Sequence, residues 1–351
     1  MRPNGDLPTI LPTLGVTMGD PAGIGPEVVA KALADPALRA QARFIVYGMH
    51  EQLAYAADLA ELNPYWFRKP HEDAKRIASG VVISDFDEFA LDSRRLGCPS
   101  AESGRASMRF LEEAIQDAQA GLLDAIVTGP INKTAWQMAG YSYPGHTELL
   151  AHRFRARRVA MMFAAGPLRV ALASVHEPLF ELRNHFTIGL VFQPIDLLHA
   201  ALRDWFGVAR PRIAVAALNP HAGEGGRFGD EEARVIQPAV EMARHAEIDA
   251  IGPLPADTLF HRAVQGEFDG VVALYHDQAL IPVKLLAFHE AVNLTLGLPI
   301  VRTSPDHGTA YDLVGKNRAN PGSMKAAIRL AIALAARLRR SAPAIDGIPQ
   351  P

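Results

Sequence analysis

A chain of 351 residues exceeds the roughly 250–300 residues at which a single hydrophobic core stops growing, so two domains are expected. The net charge of −3 gives no basic footprint for nucleic acid, and no apolar run reaches the roughly 20 residues of a membrane span. The N-terminal residues lack a signal-peptide core, and Cys98 is the only cysteine. We therefore expect a soluble, cytoplasmic protein without an intrachain disulfide.

Short apolar runs alternate with helical patterns along most of the chain. Residues 1–12 predict a loose leader, and the Pro-rich tail from Ala342 is expected to be disordered. Strands are predicted at residues 14–18, 44–47, 81–83, 125–128, 159–163, 170–174, 213–218 and 271–274. Helices are predicted from about residue 26, at 51–61, at 103–120 with Ser103 as the cap, after 133, and at 194–206, 230–246, 258–264 and 323–339. This alternation indicates βαβ units and a largely parallel sheet, hence an α/β fold.

The first predicted strand runs into a glycine-rich turn, GDPAGIGPE, at residues 19–27. Backbone N–H groups in such a turn often hold a phosphate, but a tight strand-to-helix turn without a ligand explains the glycines equally well. Val28 stands where a dinucleotide-binding fingerprint needs its third glycine, so that fingerprint is absent.

Three histidines occupy the same position relative to predicted strands. His176, His221 and His276 each follow a buried apolar strand immediately or within two residues. In a parallel sheet these strand ends share one edge, where open α/β folds bind ligands. Any single histidine is more often structural, but three imidazoles with an open position are a pattern of catalytic Zn²⁺ and related ions such as Co²⁺ or Ni²⁺. Asp257 and Asp277 could add a ligand, orient a histidine or accept a proton.

Cationic and polar residues follow the third histidine within mostly apolar sequence. Lys284, Asn293 and Arg302 could line a pocket for an anionic small molecule, although a lone charge beside apolar residues is often a snorkelling surface side chain. A metal in such a pocket would lower the pKa of a substrate hydroxyl and polarise the resulting ketone. No side chain can accept a hydride, so oxidation would require a nicotinamide cofactor.

These motifs together resemble one family. GDPAGIGPE, TGPINK, GHTE, NPHAGEGG, GPLPADT, YHDQ, VNLTLGLP and RTSPDHGTA, in this order between residue 17 and about residue 316, are similar to those of 4-hydroxythreonine-4-phosphate dehydrogenases of pyridoxal phosphate biosynthesis. The resemblance implies a fold like that of isocitrate and isopropylmalate dehydrogenases, with two α/β/α domains flanking a cleft. It also implies a homodimer. We place one domain at residues 1–135 plus 305–351 and the other at residues 136–304.

The resemblance also assigns roles to residues. It implies that His176, His221 and His276 bind a divalent metal (Zn²⁺, Co²⁺ or Mg²⁺) at a site completed at the dimer interface. It implies that the substrate is held by His146, Thr147, Lys284, Asn293 and Arg302. Taken alone, His146 would more often be a surface residue and Thr147 a helix cap. The general base could be Asp257, Asp277, Lys133 or a metal-bound hydroxide.

The implied reaction is the oxidation of 4-phosphooxy-L-threonine at its C3 hydroxyl with NAD or NADP, followed by decarboxylation to 3-amino-2-oxopropyl phosphate. Related enzymes act on 4-phosphorylated D-threonate or D-erythronate, and no residue in this chain distinguishes the two groups. A third hypothesis, from another class, is a non-catalytic binding protein for phosphorylated metabolites whose histidines are structural.

Overall fold

A computed structural model describes residues 11–73 and 79–341 of the chain. The predicted leader lies almost wholly outside the described residues, and the predicted tail lies entirely outside them. The strands are β1 (Thr13–Thr17), β2 (Arg43–Gly48), β3 (Trp66–Pro70), β4 (Val81–Asp85), β5 (Ala125–Thr128), β6 (Ala160–Ala165), β7 (Leu168–Leu172), β8 (Ile213–Ala216), β9 (Ala250–Leu254), β10 (Gly270–Ala273), β11 (Val292–Leu296) and β12 (Val301–Pro305). The helices are α1 (Gly25–Leu33), α2 (Pro36–Arg39), α3 (His50–Leu59), α4 (Ala101–Gln119), α5 (Lys133–Met138), α6 (His146–Phe154), α7 (Ile188–Asp204), α8 (Gln237–His245), α9 (Ala256–Val264), α10 (His276–Ala287) and α11 (Gly322–Ser341).

The chain divides into two compact units. Of the described residues, the first unit takes those up to Tyr141, Gly308–Pro321 and those from Ile328, and the second takes Ser142–His307 and Gly322–Ala327. Trp136, expected at the start of the second domain, lies in the first unit. Its indole is fully buried there and donates a hydrogen bond to Ser107 Oγ at 3.0 Å.

The first unit contains parallel strands in the order β3-β4-β2-β1-β5. Helix α4 packs on β1 and β2 through an apolar face that includes Phe110 and Leu111. The predicted cap of this helix was wrong, because Ser100 accepts the hydrogen bond from the Ser103 backbone N–H. The Ser103 hydroxyl instead donates to Asp20 in the glycine-rich turn. Strand β3 was missed because it lies at the sheet edge with most of its side chains at least partly exposed.

The second unit contains strands in the order β12-β11-β6-β7-β10-β8-β9. The last four are parallel, whereas neighbours from β12 to β7 pair antiparallel, which the sequence did not predict. Strand β9 was missed because Gly252 and Pro253 resemble a turn, but proline is tolerated in an edge strand. Helix α7 begins at Ile188, capped by Thr187, six residues before the predicted start at Pro194.

The core of the second unit lies around β7, β8 and β10. Val170, Ala214 and Val271 are completely buried in it, and helices α9 and α10 contribute Leu259 and Val283. Within the described residues, no helix is long and apolar enough to cross a membrane.

Candidate active site

Three adjacent parallel strands present the three histidines. Strand β10 lies between β7 and β8, so His176, His276 and His221 follow the carboxyl ends of three neighbouring strands. Hydrogen bonding continues beyond the β7–β10 ladder, since the Ser174 N–H donates to the Leu274 carbonyl at 3.2 Å. The shared edge predicted from the sequence is therefore present in the fold.

Gln278 holds this edge together and was not singled out from the sequence. Its buried amide oxygen accepts a hydrogen bond from Leu274 N–H at 2.7 Å, and its Nε2 donates to the Ala217 carbonyl at 2.8 Å. The Ser174 hydroxyl donates to the Leu274 carbonyl at 2.9 Å. The sequence signal that could have indicated this role is that Gln278 is the last residue of the YHDQ motif. The amide bridges β10 to β8 just where the histidines emerge.

His176 and His276 lie close together. Their ring centroids are 5.9 Å apart, and both residues line a cavity of about 480 Å³. His276 is the first residue of α10, and its Nδ1 lies 2.7 Å from Asp277 Oδ1. A carboxylate at one ring nitrogen fixes the imidazole orientation and leaves the other nitrogen for a ligand.

His221 follows strand β8, the neighbour of β10. It is exposed on a loop, Pro220–Gly226, and its ring centroid is 6.3 Å from that of Phe228. It does not line the cavity shared by His176 and His276. Asp257 is exposed in the first turn of α9, after the end of β9 beside β8.

The donor chemistry at this edge suits a divalent metal. Two neighbouring imidazoles, His176 and His276, and the Asp277 carboxylate offer the nitrogen and oxygen donors that Zn²⁺ and Co²⁺ accept. Across residues 11–73 and 79–341, no three His, Cys, Asp or Glu side chains already stand close enough together to hold an ion. The three-histidine metal site therefore stays a prediction.

A second cluster surrounds a buried cation, Arg302. The side chain lies on β12 with 2% exposure, and its Nη1 donates to Thr295 Oγ1 at 3.1 Å. Burial lowers the pKa of Arg302 to about 9, and the Glu148 carboxylate partly opposes that shift. Burial, and then the Arg302 charge, hold the pKa of His146 well below 6.5. Two residues of the GHTE motif, His146 and Glu148, therefore lie close enough to Arg302 to interact with its charge. His146 is neutral at pH 7.

Asn293 faces the same side of the sheet as Arg302. It pairs with Ser304 across the antiparallel β11–β12 ladder, and Ser304 lies two residues from Arg302. In the described part of the chain, the buried Asn293 Oδ1 has no hydrogen-bond partner. A buried acceptor without a donor is uncommon and fits a position that a ligand group completes.

Lys284 is already held by a carboxylate. Its ammonium lies 2.5 Å from Asp306 Oδ2 and donates to the Asp306 carbonyl at 3.1 Å. Burial raises the pKa of Asp306, while the lysine pulls it down. Thr147 is half-buried in the first turn of α6, and Lys133 is the exposed first residue of α5 in the first unit.

The glycine-rich turn has the features of a tight structural turn. Asp20 N–H donates to the Pro130 carbonyl at 2.8 Å and Ile24 N–H to the Thr309 carbonyl at 3.0 Å, so these donors are taken. A Cβ on Gly25 would lie 2.0 Å from the Met18 carbonyl oxygen. This crowding explains the glycines without a phosphate.

An α/β unit with histidines at a sheet edge and a buried arginine is typical of an enzyme that acts on small molecules, and comparison with known proteins identifies the class as a dehydrogenase. Residues 40–331 match the family model of the pyridoxal phosphate biosynthetic protein PdxA, so the chain belongs to the PdxA family. It is 48% identical over 330 residues to the 4-hydroxythreonine-4-phosphate dehydrogenase of Geobacter metallireducens (strain ATCC 53774 / DSM 7210 / GS-15), covering 94% of this chain and 97% of that protein. It is 44% identical over 333 residues to a D-threonate 4-phosphate dehydrogenase of Cupriavidus necator (strain ATCC 17699 / DSM 428 / KCTC 22496 / NCIMB 10442 / H16 / Stanier 337). This match covers 93% of this chain and 98% of that protein.

A solved 4-hydroxythreonine-4-phosphate dehydrogenase from Klebsiella pneumoniae superposes with a TM-score of 0.81 at 40% identity, covering 92% of this chain and 99% of that one. The isocitrate and isopropylmalate dehydrogenase-like α/β fold predicted from the motifs is thereby confirmed. These matches favour a dehydrogenase over a non-catalytic binding protein.

Proposed function

We propose that this chain oxidises the C3 hydroxyl of 4-phosphooxy-L-threonine with NAD or NADP and a divalent metal, and releases 3-amino-2-oxopropyl phosphate after decarboxylation. The observation that carries the proposal is the presence, in one unit, of strand-end histidines and a buried Arg302 cluster. The histidines could hold a metal that helps the substrate hydroxyl to lose its proton. The Arg302 cluster could bind an anionic group of the substrate. The name of the family supports a place in pyridoxal phosphate biosynthesis.

Arg302, His146, Thr147, Lys284 and Asn293 would bind the substrate. The buried guanidinium offers a planar set of donors for a phosphate or carboxylate, and neutral His146 offers one further donor or acceptor. The Asn293 amide oxygen would accept a hydrogen bond from an amino or hydroxyl group. Lys284 would exchange part of its contact with Asp306 for the substrate anion.

His176, His221 and His276 would hold Zn²⁺, Co²⁺ or Mg²⁺, with Asp277 orienting His276. The metal, when bound, supplies Lewis acidity for the hydroxyl and for the ketone that follows. Asp277 is engaged with His276, so Asp257, in the same unit, is the better candidate of the two aspartates for accepting the hydroxyl proton. A nicotinamide cofactor would accept the C3 hydride, and the resulting β-keto acid would lose CO₂ and gain a proton at C2.

We further propose a homodimer with the site at its interface. Ile281, Leu285 and Phe288 form an apolar stripe on α10, with exposures of 67%, 85% and 67%. Their spacing puts the three side chains on one face of α10. The same helix contains His276 and Lys284. A second copy of the chain would cover this stripe. One cysteine and no intrachain disulfide suit the cytoplasm, where we place the reaction.

The second candidate substrate is 4-phosphorylated D-threonate or D-erythronate. The similarity to the D-threonate 4-phosphate dehydrogenase of Cupriavidus necator favours it. The same cationic cluster would bind either phosphate, and the two substrates differ at C2, where one carries an amino group and the other a hydroxyl.

Purified protein should be treated with a chelator, reloaded with Zn²⁺ or Co²⁺, and assayed for NADH or NADPH with each phosphorylated substrate in parallel. We expect turnover of 4-phosphooxy-L-threonine only after metal is restored. A higher kcat/KM for D-threonate or D-erythronate 4-phosphate would replace the substrate assignment. No reduced cofactor with any substrate under either condition would reject the dehydrogenase proposal for this chain.

A further inference from the structure

The loop that carries His221 has an unusual backbone. Five consecutive residues, from His221 to Gly225, have φ angles between 42° and 77°. Only glycine adopts this left-handed region easily, yet His221, Ala222 and Glu224 carry side chains. A loop with this conformation needs contacts from outside it to stay in place.

Glu232 makes the contacts at the base of the loop. Its Oε1 accepts hydrogen bonds from the backbone N–H groups of Leu218 at 2.9 Å and Asn219 at 2.7 Å. Its Oε2 accepts a third from Asn219 Nδ2 at 3.0 Å. The residue has 6% exposure, so these bonds are shielded from water. One carboxylate thus fixes the two residues that lead from β8 into the loop.

Two glycines make room for this arrangement. A Cβ on Gly223 would lie 2.9 Å from Glu232 Oε2, so the loop backbone passes directly against the carboxylate. A Cβ on Gly229 would lie close to Glu231 Oε2 and 2.7 Å from Asn219 Nδ2, which donates to that Glu231 oxygen at 2.7 Å. The chain that returns from the loop therefore packs around Asn219 and the two carboxylates that accept its hydrogen bonds.

We propose that Glu232 is a positioning residue for His221. It contacts neither metal nor substrate, and acts through Asn219 and the loop backbone to set where the His221 imidazole stands. The inference rests on the proposed function, because it assumes that His221 is a metal ligand. A purely structural role for Glu232 would affect stability without affecting metal affinity.

The test measures binding of Zn²⁺ alone by calorimetry to chelator-treated protein. We expect Glu232→Ala to weaken Zn²⁺ binding by roughly 10–100-fold, the range for residues that orient a metal ligand. Glu232→Gln keeps an acceptor for both backbone N–H groups but loses the hydrogen bond from Asn219 Nδ2, which also donates to Glu231 Oε2 at 2.7 Å, so its affinity should fall less than that of Glu232→Ala. If Glu232→Ala does not fold, Asn219→Ala serves in its place and should weaken binding in the same direction.

Glu113→Ala is the matched control. Glu113 is another carboxylate with 6% exposure, but it contacts His71 in the first unit. Its loss should lower stability and leave Zn²⁺ affinity unchanged. In a His221→Ala background, Glu232→Ala should cause no further loss of affinity, because the ligand it positions is gone.

Wild-type Zn²⁺ affinity in Glu232→Ala, or an equal loss with and without His221, would overturn the inference while leaving the proposed function intact. Failure of the wild-type protein to bind Zn²⁺ or Co²⁺ would instead overturn the metal part of the proposed function, and the inference with it.

Discussion

Arg302 keeps a positive charge in the interior of its unit. Burial brings its pKa down to about 9, which still leaves it a cation at pH 7. Its hydrogen bond to the Thr295 hydroxyl and the nearby Glu148 offset only part of the lost hydration. A buried cation attracts an anionic ligand strongly, because the electrostatic interaction is less screened in the protein interior than in water.

Replacing Arg302 with Ala should raise KM for the phosphorylated substrate by roughly 10–100-fold, the equivalent of about 1.5–3 kcal/mol for a hydrogen bond to a charged group. The effect on kcat should be small if the contact is equal in ground and transition states. Steady-state kinetics measures this, with Arg212→Ala, at an exposed pair with Asp269, as the control. A selective loss of kcat would mean that Arg302 acts in the transition state.

His146 makes stability depend on pH. Its folded pKa lies well below 6.5, so between the folded and unfolded values only the unfolded chain binds the proton. The free energy of unfolding should therefore decrease as pH falls below 6.5, by at most about 1.4 kcal/mol per pH unit. Urea denaturation at pH 7.5, 6.5 and 5.5 measures it. His146→Gln should lose the part of the pH dependence that His146 causes. If the free energy of unfolding of this variant changed with pH as steeply as that of wild type, the argument would be contradicted.

Helix α10 combines several tasks in one element. It places His276 at its first residue and Lys284 about 12 Å further along its axis, at 1.5 Å per residue. Its inner face packs on β6 and β7, while its outer face is the exposed apolar stripe. The same rigid element would therefore connect the metal ligand, the substrate contact and the dimer surface.

Leu285→Arg should separate the proposed homodimer, since it puts a charge at the most exposed position of the stripe. A loss of about 2 kcal/mol, typical of a strong interface residue, would raise the dimer dissociation constant roughly 30-fold. Sedimentation velocity over a concentration series measures the change. Phe67→Arg, on the exposed edge strand β3, is the control and should leave the association unchanged. A monomeric wild-type protein would contradict the prediction.

On the scale of the whole molecule, the proposed metal site depends on long-range folding. Its histidines are separated by 45 and 55 residues, so the unfolded chain contains no such site. An ion that binds only the folded chain stabilises it in proportion to the logarithm of its concentration over Kd.

Removal of metal should therefore lower thermal stability. At a concentration of 100 times Kd, restored Zn²⁺ should add about 2.7 kcal/mol to the free energy of unfolding. Differential scanning calorimetry with and without chelator checks this, and His221→Ala should lose most of the increment. An identical Tm in all conditions would exclude a site with these ligands.

The sequence by itself determined the family and the strand that each of the three histidines follows. Apolar runs of strand length ending in His176 and His276 are local patterns, and the ordered motifs are specific enough to name the family. The strands β5, β8 and β10 were located closely for the same reason, because buried parallel strands are continuous apolar runs.

Only the tertiary structure decided which strands are neighbours and what holds their ends. The pairing of β10 between β7 and β8, and the antiparallel strands β6, β11 and β12, depend on contacts between distant segments. Gln278 and Glu232 look like ordinary polar residues in the sequence. Their importance comes from backbone groups that only the folded chain brings within hydrogen-bonding distance.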